Sequence, residues 1–217
     1  MVTFMRQRCQ RIPAVQRHQQ ILAVATELFA RQGFHGTTTR QIAEQAQVNE
    51  AILFRHFPRK EDLYWAVIEE KCREKSMREW LVEQLAAPAD EKTVLTGVAM
   101  ALLEQNMSDT TLARLLLFSA LEKHELSARF VKTYVAGFND LLAEYIRRRI
   151  RAGVFRRVDP GLAARAFLGM VFHHFLVQEV LGERRFYKFD MREVCESFAD
   201  IWVEGMRARP ARKGLVR

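Results

Sequence analysis

Residues 37–60 read TTTRQIAEQAQVNEAILFRHFPRK. Thr38 is followed three residues later by Gln41, the spacing of a capping box, in which the hydroxyl accepts from a first-turn N–H and the amide reaches back. A short helix follows, with Ile42, Ala43 and Ala46 on one side. Gln47-Val48 then leads to Asn49, a strong N-cap residue. A second short helix runs to about Phe57, where Pro58 disfavours helical geometry at the residue before it. Two short helices, a tight turn and small residues at the crossing describe a helix-turn-helix. Its second helix has the dimensions of the DNA major groove.

Working outward, Arg17, Ile21-Leu22, Ala25 and Leu28-Phe29 precede this stretch, closed by Gly33 at a helix C-cap position. His56-Phe57 and Lys60-Glu61-Asp62-Leu63 follow it. Over Arg17–Leu63 the chain resembles the DNA-binding domain of the TetR family of transcriptional regulators, and the remainder matches that family in length and helical character. Three positions depart from the family pattern. Gln47 stands where glycine is usual, and positive φ there carries about 1–2 kcal/mol for a side-chain-bearing residue. Either the turn differs or it holds that strain. Phe54 replaces a tyrosine and lacks its hydroxyl, and Pro58 replaces a polar residue.

The resemblance implies two sets of DNA contacts. Ala51, Ile52 and Arg55 match base-facing positions. Arginine can bridge guanine O6 and N7, and Ala or Ile can touch a thymine methyl. Ile52 has the alternative of packing against the first helix, while Leu53 and Phe57 read as core. Thr37, Thr39, Arg40, Phe54, His56 and Lys60 match the set that faces the phosphate backbone. For Phe54 only stacking or van der Waals contact is left.

Charge agrees with a polyanionic partner. The 217 residues carry a net +8, and the first 64 hold nine Lys or Arg against five Asp or Glu. Cys9, Cys72 and Cys195 are odd in number and lack metal-ligand spacing, which suits a reducing cytoplasm. No signal-peptide core is visible, and no run of about 20 apolar residues is expected to cross a bilayer. A soluble, cytoplasmic protein is expected.

The class expected is all-α, with about nine helices. Residues 1–15 read as a flexible basic arm with Arg6, Arg8 and Arg11. Arms of this kind enter a minor groove in some proteins; the alternative is an unused tail. Residues 16–64 form the reading head, 65–208 a ligand-binding and dimerisation domain, and 209–217 a basic tail. One helix from about Arg59 to Leu85 is expected to join head and body. Asp159-Pro160 and Asp190 mark the starts of the last two long helices.

The fifteen phenylalanines mostly make core. The resemblance adds an apolar cavity among the middle helices, for which Asn106, Phe118, Tyr134, Phe138 and His173 are candidate lining residues. The last two helices carry wide apolar stripes. Phe167, Met170 and His174 with Phe198, Ile201, Trp202 and Gly205 are expected to form a four-helix bundle across a two-fold axis. His173-His174 with Gln178 or Glu179 could suggest a metal, but adjacent helical residues point about 100° apart. Pocket or interface roles fit them better, and no metal or cofactor is expected.

No Gly-rich phosphate loop, GxSxG, CxxC or HExxH occurs. The expectation is therefore a regulator and no enzyme: a homodimeric repressor of a palindromic double-stranded DNA operator, released by a small apolar or amphipathic effector. The other reading is an enzyme, or a non-specific DNA-compacting protein, with a borrowed helix-turn-helix head.

Overall fold

The computed structural model describes residues 13–74, 78–122 and 125–208. The basic arm up to residue 12, with Arg6, Arg8, Arg11 and Cys9, and the basic tail from residue 209 lie outside the described residues.

Four helices make the head: α1 (Ala14–Gly36), α2 (Thr39–Gln45), α3 (Glu50–His56) and α4 (Lys60–Glu74). The first begins at Ala14, inside the span expected to be arm, with Pro13 at its N-cap. It breaks at Gly33 (φ 73°, ψ −178°), a conformation open essentially to glycine, and runs one further turn. The capping box is present: Thr38 accepts the Gln41 N–H, and the Gln41 side chain accepts the Thr38 N–H at 2.9 Å. Asn49 accepts the Ile52 N–H at 2.8 Å. Between α2 and α3, Gln47 holds φ at 53°. The turn therefore keeps its left-handed form without glycine. The N–H groups of Gln47 and Val48 return to the carbonyls of Glu44 and Ala43, the pairing that closes a helix at a left-handed residue.

Ile21, Ala25, Phe29, Ile42, Ala46, Leu53, Leu63, Tyr64, Val67 and Ile68 are fully buried and form one apolar cluster in the head. It includes Leu115 from the body.

The body contains α5 (Arg78–Ala86), α6 (Glu91–Ser108), α7 (Thr111–Leu121), α8 (Glu125–Phe130), α9 (Ala136–Arg151), α10 (Pro160–Phe175) and α11 (Met191–Met206). A π turn at Val131–Val135 fuses α8 and α9 into one rod, and another at Leu176–Val180 extends α10. The helix expected over 59–85 is described as α4 and α5, on either side of residues 75–77. Asp90, Asp159 and Asp190 each cap the helix that follows them. Helix α6 packs on α11 and α10, and α9 packs on α10. Among the described residues the only β pairing is an isolated bridge between Phe155 and Arg207.

One sequence expectation needs correcting. Pro160–Val180 is 21 residues long and apolar enough, by length and composition alone, to span a membrane. Its composition has a local cause. One side buries Ala164, Phe167, Val171 and Phe175 in the body core, and the opposite side carries a second apolar stripe.

Candidate nucleic-acid interface

Helix α3 is fixed by its inner side. Leu53 and Phe57 sit in the head core, so the residues between them are turned outward. Ala51 and Arg55 are exposed, and Ile52 is half-exposed without joining the core cluster. Phe54 is 41% exposed, so its ring lies at the surface without a hydroxyl. This leaves an apolar and cationic strip on a helix small enough for a major groove.

The expected backbone-contact residues divide. Thr37 is fully buried, and its hydroxyl donates to the Gly33 carbonyl at 2.9 Å, which keeps its side chain out of phosphate reach. The Lys60 ammonium donates to the Phe34 carbonyl and lies 4.1 Å from the Phe34 ring centre. Burial lowers its pKa, with Glu122 and Glu61 opposing that. Its ammonium is thus half-buried and engaged by the head backbone. Arg40 is exposed and pairs with Glu44 at 2.9 Å, an exposed i,i+4 pair that a phosphate can readily displace. Thr39 donates to Glu50 at 2.6 Å, linking α2 to α3. His56 lies 5.8 Å from His18, whose ring stacks on Phe57 at 4.6 Å. Burial lowers the His56 imidazole, and His18, Arg55 and Arg17 add to that.

The body residues also divide. Phe118 and Tyr134, expected to line a cavity, lie at the joint between head and body. Phe118 is against Gly33, and Tyr134 is 6.4 Å from Trp65. Phe138 packs against the body core, and Asn106 donates to the Leu102 carbonyl one turn back. His173 is exposed on α10. The five are not brought together. Among the seven expected interface residues, Phe167 and Trp202 are buried within the chain. Their rings are 5.9 Å apart, and the Trp202 indole donates to the Ala163 carbonyl. Both helices are apolar on two sides: Phe167 takes the inner one, while Trp202 packs inward and also lines the outer groove. Met170, His174, Phe198, Ile201 and Gly205 are not fully buried. A groove of about 530 Å³, with Leu162, Ala166, Met170, Ile201 and Gly205 in its wall, runs along that outer side.

Residues 21–67 match the family of bacterial regulatory proteins, tetR family, and residues 93–204 match the C-terminal domain of AefR-like transcriptional repressors. The chain belongs to the TetR family. The first match ends within α4 and the second spans α6 to α11, so this TetR-family chain is matched in both head and body. Over 191 residues it is 26% identical to the HTH-type transcriptional regulator YvkB of Bacillus subtilis, covering 88% of this chain and 97% of YvkB. Its fold is that of FadR from Bacillus subtilis, solved with stearoyl-CoA (TM-score 0.66, 22% identity, 88% of this chain and 100% of FadR). It is also that of AibR, solved with isovaleryl coenzyme A and operator DNA (TM-score 0.60, 22% identity, 89% and 100%).

Sequence reading missed the seam by which this TetR-family head is seated. Glu122 accepts from the N–H groups of Phe34 and His35. Arg114 donates to the Ala30 carbonyl, Tyr64 to the Leu115 carbonyl, and Lys71 pairs with Asp109 at 3.1 Å. The Arg129 guanidinium covers the Trp65 ring at 3.7 Å. The head is therefore held through α1 as well as α4. Ser119 on α7 was also missed; it is fully buried, with no hydrogen-bond partner for its hydroxyl among the described residues. No local pattern marks these partners, which are far apart in sequence.

Proposed function

We propose that this regulator is a homodimeric, ligand-responsive repressor that binds a palindromic operator through α3 of each head and acts in the cytoplasm. The carrying observation is α3 itself. Leu53 and Phe57 lock it to the core, Asn49 caps it, and Ala51, Ile52 and Arg55 are left to meet base edges. Phosphate contacts would come from Arg40, from Thr39 once Glu50 releases it, and from His56. Catalysis has no part in this reading.

The effector proposed is amphipathic, with an acyl-coenzyme A thioester as its chemical class. FadR and AibR, which share this fold, hold such ligands. The unpartnered Ser119 hydroxyl is a buried donor that a ligand could satisfy. Two heads fit adjacent major grooves only at about 34–36 Å separation. A ligand that seats better in a form with another separation releases the operator, and a tenfold loss needs about 1.4 kcal/mol of differential affinity.

A genome-wide footprint followed by calorimetry tests the proposal. A palindromic operator and weaker acyl-coenzyme A binding in its presence are expected. Random DNA bound as tightly as any footprint sequence would instead assign the chain to DNA compaction, and equal ligand affinity with and without operator would remove the switch.

A further inference from the structure

Two histidines far apart in sequence meet on the head. His18 lies in the early turns of α1, and His56 is the last residue of α3. Their ring centres are 5.8 Å apart, edge to face, and both side chains are half-buried.

The pair is positioned from beneath. The His18 ring stacks on Phe57 at 4.6 Å, with 30° between the planes, and Phe57 is buried in the head core. Phe57 also ends α3, its N–H donating to the Leu53 carbonyl. The ring that anchors the reading helix therefore sets the place of His18 as well. A cation over an aromatic face is attracted by the ring quadrupole, so this stack accepts the charged form of His18.

Charge around the pair has one sign. Burial holds the His56 imidazole below its ordinary value, and His18, Arg55 and Arg17 lower it further, with no carboxylate opposing them among the described residues. The acids nearby in sequence are engaged elsewhere: Glu50 accepts from Thr39, Asp62 pairs with Arg59, and Glu61 acts on Lys60. Arg17 donates only to a neutral amide, that of Gln20, at 3.0 Å. Four basic side chains from α1 and α3 thus share one spot without a protein counter-ion. Like charges so placed disfavour ionisation, and an anion among them reverses that balance.

We propose that His18 and His56 together clasp one phosphate of the DNA backbone, flanked by Arg17 and Arg55, and that this contact takes up a proton. The inference rests on the reading of α3 as the DNA-contacting helix, and it adds His18 and Arg17 of α1 to that surface. The phosphate oxygens accept from the ring N–H groups. Their charge offsets the repulsion between the two rings, so a proton is held more tightly in the complex than in the free chain. By linkage, DNA affinity then rises as pH falls, at most tenfold per pH unit for each proton taken up. A phosphate carries no base identity, so the effect is the same for every sequence.

The test uses the full chain and a short duplex of random sequence. In anisotropy titrations from about pH 5 to 8, the wild type should bind about tenfold more tightly at the acid end. Its salt slope should be steeper there by about one, for the counterion released by the added charge. His18→Phe keeps a ring on Phe57 without a titrating nitrogen, and His56→Gln keeps an N–H donor without a charge. Each should lose part of the pH dependence, and the double variant should bind with a flat profile. Ring-proton magnetic resonance of the wild type gives a check without substitution: the titration midpoints of both rings should rise when duplex is added. A chain that binds no duplex at any pH would remove the DNA reading itself. Duplex binding with a flat wild-type profile, an undiminished pH dependence in the double variant, or unchanged midpoints would overturn the clasp alone.

Discussion

The carboxylate of Glu122, at the end of α7, accepts the backbone N–H of Phe34 at 3.1 Å. It also takes the next N–H, that of His35, at 3.2 Å. Both donors are freed because α1 breaks at Gly33, so a body residue caps the broken end of a head helix. A Cβ at Gly33 would lie 2.5 Å from Glu122 Oε1 and 2.9 Å from the Phe118 ring.

Gly33→Ala should therefore combine a forbidden backbone conformation with an overpacked joint. Together they are worth about 2–4 kcal/mol. The urea midpoint should fall accordingly, with the denaturant slope unchanged. A midpoint within error of wild type would mean that the joint gives way easily and does not hold the head.

Asp109 gives the same seam a pH dependence. Burial alone would raise this carboxyl, but the Thr111 hydroxyl and N–H and the Lys71 ammonium outweigh it and hold it at about 2. The native value is depressed from 3.8, so the stabilisation is complete above about pH 4 and is lost as pH falls toward 2. The side chain is about a third exposed, which reduces the full linkage value to about 1 kcal/mol. Asp109→Asn should lose that amount at pH 7 and show a flatter acid limb in a series of melts. Parallel acid limbs for the two proteins would refute the assignment.

At the DNA surface the two exposed arginines should behave differently. Arg55→Ala should cost about 1–3 kcal/mol at its preferred operator and blur one or two base positions. Arg40→Ala should weaken all sequences alike and reduce the salt slope by about one, since a phosphate carries no base identity. Lys60→Ala should act mainly on head stability, because its ammonium is tied to Phe34. Anisotropy titrations across salt and operator variants separate these outcomes, and a uniform loss from Arg55→Ala would remove it from base readout.

Ile201 and Trp202 are neighbours that differ sharply in burial. Ile201 is 65% exposed in the groove wall, whereas Trp202 is 7% exposed with its ring edge-on to Phe155 and Phe167. Ile201→Glu should yield folded monomers that no longer bind a palindrome. Trp202→Ala should instead destabilise the fold by about 3–5 kcal/mol. A fully stable Trp202→Ala protein would contradict the intrachain role given to that ring.

What could be read locally was read correctly at the caps and turns. Thr38, Asn49, Asp159 and Asp190 each act through hydrogen bonds spanning three residues, so spacing alone locates them. Gln47 shows the limit of such reading. Its identity raised the choice between a different turn and a strained one, and the left-handed φ resolves it because Val48 and Ala46 are both held in the head cluster.

The sequence by itself determined that this chain is helical, that residues 37–60 form two short crossed helices, and that Leu53 and Phe57 point inward between exposed positions. Those properties follow from periodicity and from bonds between near neighbours, which every chain with these residues must satisfy. Tertiary structure decided which apolar stripe of α10 and α11 faces the core and which stays open. It also buried Thr37, tied the half-buried Lys60 to Phe34 and seated the head on Glu122. The physical reason is that a stripe or a carboxylate carries no record of its partner. Phe34 and Glu122 are 88 residues apart, and only the packed helices bring them within one hydrogen bond.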